Sequence, residues 1–341
     1  MNVFLTLSFV FVATLFQSPL WAQSQTPNPA QGVVAKVSLA PIFVLNSADA
    51  TISIIDAKTW AVTKTIPTGK EPHHMYLSPD EKSLIVANAT SDSLTFLDPK
   101  TAQIQRTVRG IRDPYHLRFS PDMKWFVTAA NRLNHVDIYE WKNNEPVLKK
   151  RIPTGKTPSH LWIDSKSSIV YASMQDSDEL VAIDLAKQTL LWRIKTGKMP
   201  ADIFGSSDDK TLLLGLTGSD GVEVFDVSSG TKPKRIKQIV TGKGAHAFRA
   251  AGDKQHVYVS NRIANTISKL DLTTHKVVAS YAGGSGSDCM EVMSGFDKLL
   301  VTSRWERKLT VIDLVSGQVE KKIAVGKSPH GVWTLDHAAR Q

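Results

Sequence analysis

The sequence has a single cysteine, Cys289, among its 341 residues, so no disulfide can form within the chain. A chain of this length can bury a core large enough to fold without such a cross-link. The His-Glu-x-x-His, P-loop and Gly-x-Ser-x-Gly motifs are absent, and so are the Trp-Asp and Gly-His dipeptides of WD40 repeats. These absences exclude a disulfide scaffold and leave the common hydrolase and nucleotide-binding motifs without support.

What the sequence does contain is a repeat of about 40 residues. Each copy combines short apolar runs with polar turns, and a Gly-Lys-x-Pro marker, or a variant of it, precedes each new copy. The marker glycines, 41 to 45 residues apart, are Gly69, Gly110, Gly155, Gly197, Gly242, Gly284 and Gly326. A period of this length, built from short β-type runs, is typical of a β-propeller. The sequence therefore predicts an all-β, seven-bladed propeller of four-stranded antiparallel blades.

The two ends of the repeat region are incomplete in complementary ways. Residues 42–66 supply three strands without an innermost one, and residues 329–335 form an innermost strand with no blade after it. Their pairing would complete one blade and close the ring, leaving no unpaired innermost edge. We therefore predict a propeller over residues 41–336 and a tail over 337–341.

The first residues differ from the repeats. An apolar run over residues 3–16 is followed by Leu20-Trp21-Ala22, which predicts a cleaved signal peptide over residues 1–22, although no Lys or Arg precedes the run. The run is short for a membrane span, so no stable span is expected after cleavage. Residues 23–40 are rich in Gln, Pro, Ala and Ser and predict a flexible leader. The protein is expected to be periplasmic or secreted, and a monomer.

The repeat resembles the propeller family with a Tyr-Val-Thr-Asn (YVTN) type repeat, whose members are mostly exported. The resemblance rests on Val-Tyr-Val-Ser-Asn261, Leu-Ile-Val-Ala-Asn88, the Ser-Pro-Asp turns at 78–80 and 120–122, and Gly-Lys-Ser-Pro-His-Gly331. The same repeat type is similar to the haem-binding propeller of bacterial d1-type nitrite reductases. The resemblance implies the fold, leaves the function open, and makes haem or a transition metal a candidate cofactor.

Six of the ten histidines fall where the innermost strand of a blade begins. Two consecutive positions are involved. The first position holds His73, Tyr115, Ser159, Ala201, His246, Asp288 and His330. The second position holds His74, His116, His160, Asp202, Ala247, Cys289 and Gly331. Because side chains alternate along a strand, the first position is expected to pack between blades and the second to face the channel.

The channel face is predicted to continue two residues further along each innermost strand, with Arg118, Arg249 and Trp333 among its members. A second cationic set, Arg132, Arg262 and Arg304, follows the second strand of three blades. The second strand ends on the side where the innermost strand begins, so these arginines are expected at the same mouth as the histidines. Guanidinium groups there would suit a carboxylate or phosphate ligand.

The residues leave several functions open. The leading hypothesis is a non-catalytic exported propeller that binds a small anionic ligand, a cofactor or a periplasmic protein partner at the His/Arg mouth. The alternative is a haem- or metal-dependent enzyme, either an oxidoreductase-type propeller or a lactonase or hydrolase, with His74, His116 and His160 as metal ligands beside Asp202. The net charge of +9 favours anionic partners and allows nucleic acid, but the charges are scattered along the chain.

Overall fold

The computed structural model of the protein describes residues 39–340. The predicted signal peptide, and the predicted leader up to residue 38, lie outside the described residues. Within residues 39–340 the structure has 28 strands arranged in seven four-stranded sheets. Every pairing between neighbouring strands in a sheet is antiparallel, with registers such as Ile42↔Ile55 and Leu84↔Leu97. The predicted seven-bladed, all-β propeller is confirmed.

Blades are numbered here along the chain. Blade 1 contains β1 (Ile42–Asn46), β2 (Thr51–Ile55), β3 (Val62–Pro67) and β28 (Pro329–Thr334). Blade 2 contains β4 (Pro72–Leu77), β5 (Leu84–Asn88), β6 (Ser93–Leu97) and β7 (Ile104–Arg109). Blade 3 contains β8 (Pro114–Phe119), β9 (Trp125–Ala130), β10 (His135–Lys142) and β11 (Glu145–Pro153). Blade 4 contains β12 (Pro158–Ile163), β13 (Ile169–Met174), β14 (Glu179–Asp184) and β15 (Thr189–Lys195).

The remaining blades follow the same order. Blade 5 contains β16 (Pro200–Gly205), β17 (Thr211–Leu216), β18 (Gly221–Asp226) and β19 (Lys234–Val240). Blade 6 contains β20 (Ala245–Ala250), β21 (His256–Asn261), β22 (Thr266–Asp271) and β23 (Lys276–Ala282). Blade 7 contains β24 (Ser287–Met293), β25 (Lys298–Ser303), β26 (Lys308–Asp313) and β27 (Val319–Ala324). Two single-turn 3₁₀ helices, Ala89–Ser91 and Gln175–Ser177, lie between strands.

The burial of each strand follows its place in the blade. The second and third strands are apolar and almost fully buried; Leu84, Ile85, Val86 and Leu94 of blade 2, for example, have no exposed surface. The outermost strands, such as β3 and β27, are mostly exposed. They carry lysines, as in the Val-Glu-Lys-Lys-Ile-Ala sequence of β27, which discourage pairing with another chain along this edge. The core therefore lies between neighbouring blades.

Blade 1 is built from both ends of the propeller. β28 pairs with β1 through Phe43↔Trp333 and Val44↔Val332, giving the strand order β28-β1-β2-β3. β28 also lies beside β24 of blade 7 and β4 of blade 2. The predicted closure of the ring by the terminal strands is therefore confirmed. No helix of residues 39–340 has the length and apolar character needed to cross a membrane.

Several of the marker glycines are required by a close approach between the connection that enters a blade and the second strand of that blade. A Cβ atom on Gly69 would lie 2.6 Å from the side chain of Asn88, and one on Gly242 would lie 2.9 Å from Asn261. These asparagines end the second strand of the repeat, and their amides bond within the blade, as from Asn88 Nδ2 to Thr95 Oγ1 at 2.9 Å. The absence of a side chain on the marker glycine thus leaves room for the asparagine that ends the second strand.

The innermost strands share an irregularity where they begin. In every blade the pairing with the second strand shifts register there, as between Pro72 and Met75 in blade 2 and between Pro158 and Leu161 in blade 4. Such a β-bulge inserts an extra residue and turns side chains away from strict alternation. The first and second positions of the innermost strand lie within this bulge except in blade 3, where His116 pairs with Ala129 and only Tyr115 is unpaired.

Candidate functional site

The bulge brings both positions of the innermost strand to the propeller axis. His73 and His74 are consecutive, yet their rings lie 5.0 Å apart and their Nδ1 atoms are 3.2 Å apart. His73 also contacts Tyr115 and His330, with ring centroids separated by 3.8 and 3.6 Å. His73 therefore lies between residues of its two neighbouring blades, and the bulge, which interrupts the strict alternation of side chains, also brings it close to His74.

A cavity of about 130 Å³ lies on the axis beside these histidines. Its floor is the second position, with all seven of its residues contributing. Its walls include residues two further along the strands, among them Tyr76, Arg118, Trp162, Phe204 and Arg249. Ala250 and Arg340 of the tail also line it, so the cavity extends towards the ends of the innermost strands.

Three neighbouring blades place an imidazole on the cavity floor. His74, His116 and His160 each offer one nitrogen, and these atoms lie within 4.8 Å of one another. His74 Nδ1 lies 2.8 Å from the carbonyl oxygen of Tyr115, which orients the ring and leaves Nε2 available. His160 Nδ1 lies 2.8 Å from Ser159 Oγ, while His160 Nε2 and His116 Nδ1 are buried without a hydrogen-bond partner among the described residues.

The environment of these imidazoles favours their neutral form. Burial lowers the pKa of His74 to about 4, although the bond to Tyr115 opposes the shift. Burial likewise lowers the pKa of His116 and of His160 well below the usual value, and the neighbouring histidines add to both shifts. A neutral imidazole has a free lone pair, the form that binds a transition metal. The unpartnered nitrogens identify the three histidines as a candidate metal site.

Two other groups near the axis could hold a metal only in competition with existing bonds. One contains His246, Asp288 and His330. Asp288 already accepts bonds from Arg262 at 2.8 Å and Arg304 at 3.3 Å. Burial alone would raise the pKa of Asp288, but Arg262 and the adjacent histidines hold it well below its usual value. Asp288 is therefore already paired within the protein, in a buried polar network with Arg262, Arg304 and His246.

The other group contains His73, His74 and His330. The Nδ1 atoms of His73 and His74 contact each other, and His330 Nδ1 lies 2.9 Å from the carbonyl oxygen of His73. These contacts pack three imidazoles against the Asp288 network. They support the cavity floor from behind, and only His74 is shared with the cavity.

The arginines predicted to line the mouth are occupied by other partners. Arg262 donates to His246 Nε2 as well as to Asp288, and Arg304 Nε donates to Ser328 Oγ at 2.8 Å. Arg132 forms a two-pronged bond with the buried Asp113, at 3.0 Å from Nε and 2.7 Å from Nη2. None of the three lines the cavity. They surround the axis where the innermost strands begin, behind the histidines.

Arg118 differs from the other arginines near the axis. It lies two residues after His116 on β8, and its guanidinium carbon is 4.4 Å from the centroid of the Trp162 ring. Its Nε is buried without a hydrogen-bond partner in the described part of the chain. Arg249 and Arg340, by contrast, both bind the fully buried Glu291. Arg118 is thus an unpaired positive charge facing the cavity.

Two further predicted residues have contrasting positions. Asp202 lines the cavity, and its carboxylate accepts from the backbone N–H groups of Ile203 and Phe248, both at 2.8 Å. Burial raises the pKa of Asp202 to about 6. Trp333 does not line the cavity: it is 1% exposed and its ring lies 5.9 Å from that of Phe43. Its cross-strand pairing with Phe43 makes it a core residue of blade 1.

Sequence reasoning missed the role of the tail. Ala338 N donates to Val292 O at 2.8 Å, and Arg249 donates to the carbonyl oxygens of Ala338 and Ala339. Arg340 binds Glu291 beside the cavity. The signal available in the sequence was Glu291, an acidic residue on a predicted channel face beside Arg249. The tail follows the last strand, so no repeat pattern indicated where it would bind.

The size and the lining residues of the cavity limit which cofactor it can hold. Its volume of about 130 Å³ is below the roughly 300–1,000 Å³ of sites for drug-sized ligands, so a haem macrocycle does not fit inside it. The three imidazoles, two of which have a buried nitrogen without a partner among the described residues, do fit a single transition-metal ion with a small additional ligand. Cys289 borders the cavity as a neutral thiol, because burial raises its pKa well above the usual value.

Comparison with solved structures finds many propellers of the same architecture. A functionally unknown protein from Desulfotomaculum acetoxidans superposes with a TM-score of 0.74 at 15% identity, covering 86% of this chain and 98% of its own. The periplasmic gluconolactonase PpgL from Pseudomonas aeruginosa gives 0.73 at 18% identity, covering 89% and 100%. The dihydro-haem d1 dehydrogenase NirN gives 0.67 at 16% identity, covering 88% and 76%. At these identities the likeness concerns the fold.

Comparison with curated protein sequences gives no match. A family model does match, and it extends over residues 12–340 and therefore over all seven blades. The repeat pattern, the ring closure and this match agree with one another. The chain belongs to the YNCE-like β-propeller family.

Proposed function

We propose that this protein is an exported binding propeller that holds a transition-metal ion, together with a small anionic ligand, in its central cavity. The observation that carries the proposal is the convergence of His74, His116 and His160, whose neutral imidazoles include buried nitrogens without partners. Leaving a buried polar atom unpaired costs about 1–3 kcal/mol. A ligand that bonds to these nitrogens would remove that cost. Export is supported by the predicted signal peptide and by the periplasmic location in the name of PpgL.

Three imidazoles leave at least one coordination position open on a tetrahedral ion. A metal ion held by these residues would have that position available to water or to an anion from the cavity. Behind the site, the Asp288 network supports the floor, because Arg262 bonds to both His246 and Asp288. This arrangement supports reversible binding through the open position, with the ligand entering past the ends of the innermost strands.

The test is a titration of metal-free protein, without a histidine tag, with Co²⁺ and Zn²⁺. We expect one equivalent of Co²⁺ to bind, with a visible absorption band of a nitrogen-coordinated ion and displacement by Zn²⁺. Replacing His116 with Ala should weaken binding by at least about 100-fold, since changes at partners of ligands already cost 10–100-fold. Because the pKa of His74 is about 4, binding at pH 6 should stay within about threefold of that at pH 7.5.

The matched control is His275→Ala, which removes a histidine of the loop after β22 far from the cavity. This variant should bind Co²⁺ as the natural sequence does. A folded protein that takes up no stoichiometric metal, or a His74→Ala/His116→Ala/His160→Ala variant with undiminished affinity, would reject the site.

A second candidate function is metal-assisted hydrolysis, and the observation favouring it is Asp202. Its carboxylate lines the same cavity as the three histidines and is held in place by two backbone N–H groups. A carboxylate beside a metal-bound water can act as general base, and PpgL is named as a gluconolactonase. Lactone hydrolysis by the metal-loaded protein that falls at least about 100-fold in Asp202→Asn, with Co²⁺ binding retained, would favour this function over binding alone.

A further inference from the structure

We infer that the anion bound in the cavity is a short dicarboxylate, with one carboxylate on the metal ion and the other on the guanidinium of Arg118. The inference rests on the proposed metal site and adds a second, separate point of recognition. It concerns a side chain that no ion pair or hydrogen bond within the described residues explains. Its first support is therefore that Arg118 has no partner in the described part of the chain.

A guanidinium group in a partly buried site is normally paired. Around this axis Arg262 and Arg304 bind Asp288, and Arg249 and Arg340 bind Glu291. Arg118 faces the same cavity without a carboxylate within ion-pair distance in residues 39–340, and its Nε is buried and unpartnered. Stacking on Trp162 holds the planar group in one orientation. Oriented, unpaired guanidinium groups suit a carboxylate, which they bind through two parallel bonds.

The backbone spacing of His116 and Arg118 and the size of the cavity indicate a short ligand. His116 and Arg118 are on one strand, two residues apart, so their backbone positions are separated by about 7 Å along β8. The cavity of about 130 Å³ leaves room only for a small molecule between them. A monocarboxylate would engage one point and leave the other unfilled. A dicarboxylate with a short carbon chain reaches both.

The charges in the cavity agree with a ligand carrying two negative charges. A divalent ion on three neutral imidazoles adds two positive charges, and Arg118 adds a third. Asp202 also lines the cavity; burial raises its pKa to about 6 and Arg118 opposes that shift, so at pH 7 its carboxylate is mainly ionised and cancels one of the three positive charges. Without an anion this site would hold unbalanced positive charge in a partly buried space, which is costly.

The experiment measures Co²⁺ affinity of the full protein with and without malonate, succinate or glutarate, using acetate as the monocarboxylate comparison. The measured Co²⁺ affinities are corrected for binding of Co²⁺ to each acid in solution. We expect at least one dicarboxylate to raise the apparent Co²⁺ affinity about tenfold or more, and acetate to raise it much less. In Arg118→Gln the enhancement should fall to the level of acetate, while Co²⁺ alone binds as well as before.

The matched control is Arg109→Gln, which removes an exposed arginine at the end of β7 and lowers the net charge equally. It should keep the full enhancement. Co²⁺ binding with no dicarboxylate effect, or an effect that survives Arg118→Gln, overturns the inference and leaves the metal site standing. Absence of Co²⁺ binding overturns the metal site, and the inference falls with it.

Discussion

A chain that ends at Lys327 is expected to unfold or aggregate under conditions in which the full chain is stable. The deletion removes β28, including Trp333 and Val332, which are 1% and 6% exposed. It also leaves the pairing edge of β1 open on the propeller axis. Loss of several buried apolar side chains costs on the order of several kcal/mol, comparable to a total stability of about 5–15 kcal/mol. Thermal unfolding followed by circular dichroism measures the effect.

The control removes the same number of residues, 23–36, from the predicted leader. We expect the melting temperature of that variant to stay within about 2 °C of the full chain, because the segment precedes β1 and the repeat region. A chain ending at Lys327 that melts like the full chain would contradict the closure of the ring through β28.

Replacing Asp288 with Asn is expected to lower the free energy of unfolding by about 3–5 kcal/mol, the usual cost of removing one partner from a buried ion pair. The carboxylate is fully buried and bonds Arg262 and Arg304 while lying 3.2 Å from His246 Nε2. Asn keeps the shape but removes the charge, so two guanidinium groups lose their common partner. Urea unfolding at pH 7 gives the difference directly.

Asp208→Asn is the matched control for this substitution. Its carboxylate is 54% exposed and pairs with Lys210 on the surface, where such a pair is worth about 0–1 kcal/mol. Asp288→Asn should therefore be several times more destabilising than Asp208→Asn. Equal effects would show that the Asp288 network contributes no more than a surface pair.

The architecture was predictable because short sequence patterns determine each strand and each turn. Apolar runs such as Leu84 to Ala87 and turns such as Ser78 to Asp80 recur at a fixed period, and each signals its own strand or turn. The turn is built as expected, with Ser78 Oγ donating to Asp80 Oδ1 at 2.6 Å. The closure followed from counting strands at both ends. Fold and strand positions are therefore properties of short segments, which a single sequence displays.

The site was predictable only in part, because its geometry depends on contacts between distant residues. The clustering of His74, His116 and His160 followed from their common position in successive repeats. The bulge that brings His73 close to His74 is a feature of strand pairing, and an ideal alternating strand cannot reveal it. The partners of Arg262 and Arg132 are Asp288 and Asp113, which are 26 and 19 residues away in the chain.

The cavity floor is assembled one residue per blade, and this has a consequence for how its chemistry can change. Blades 2, 3 and 4 contribute histidines to the floor, whereas blades 5 and 7 contribute Asp202 and Cys289, and blades 6 and 1 contribute Ala247 and Gly331. Each floor residue comes from its own sheet, although His74 and Asp202 also bond to backbone groups of the next blade, so one substitution changes one position of the floor. Metal preference and ligand shape can therefore change through substitutions at seven equivalent positions, one in each blade.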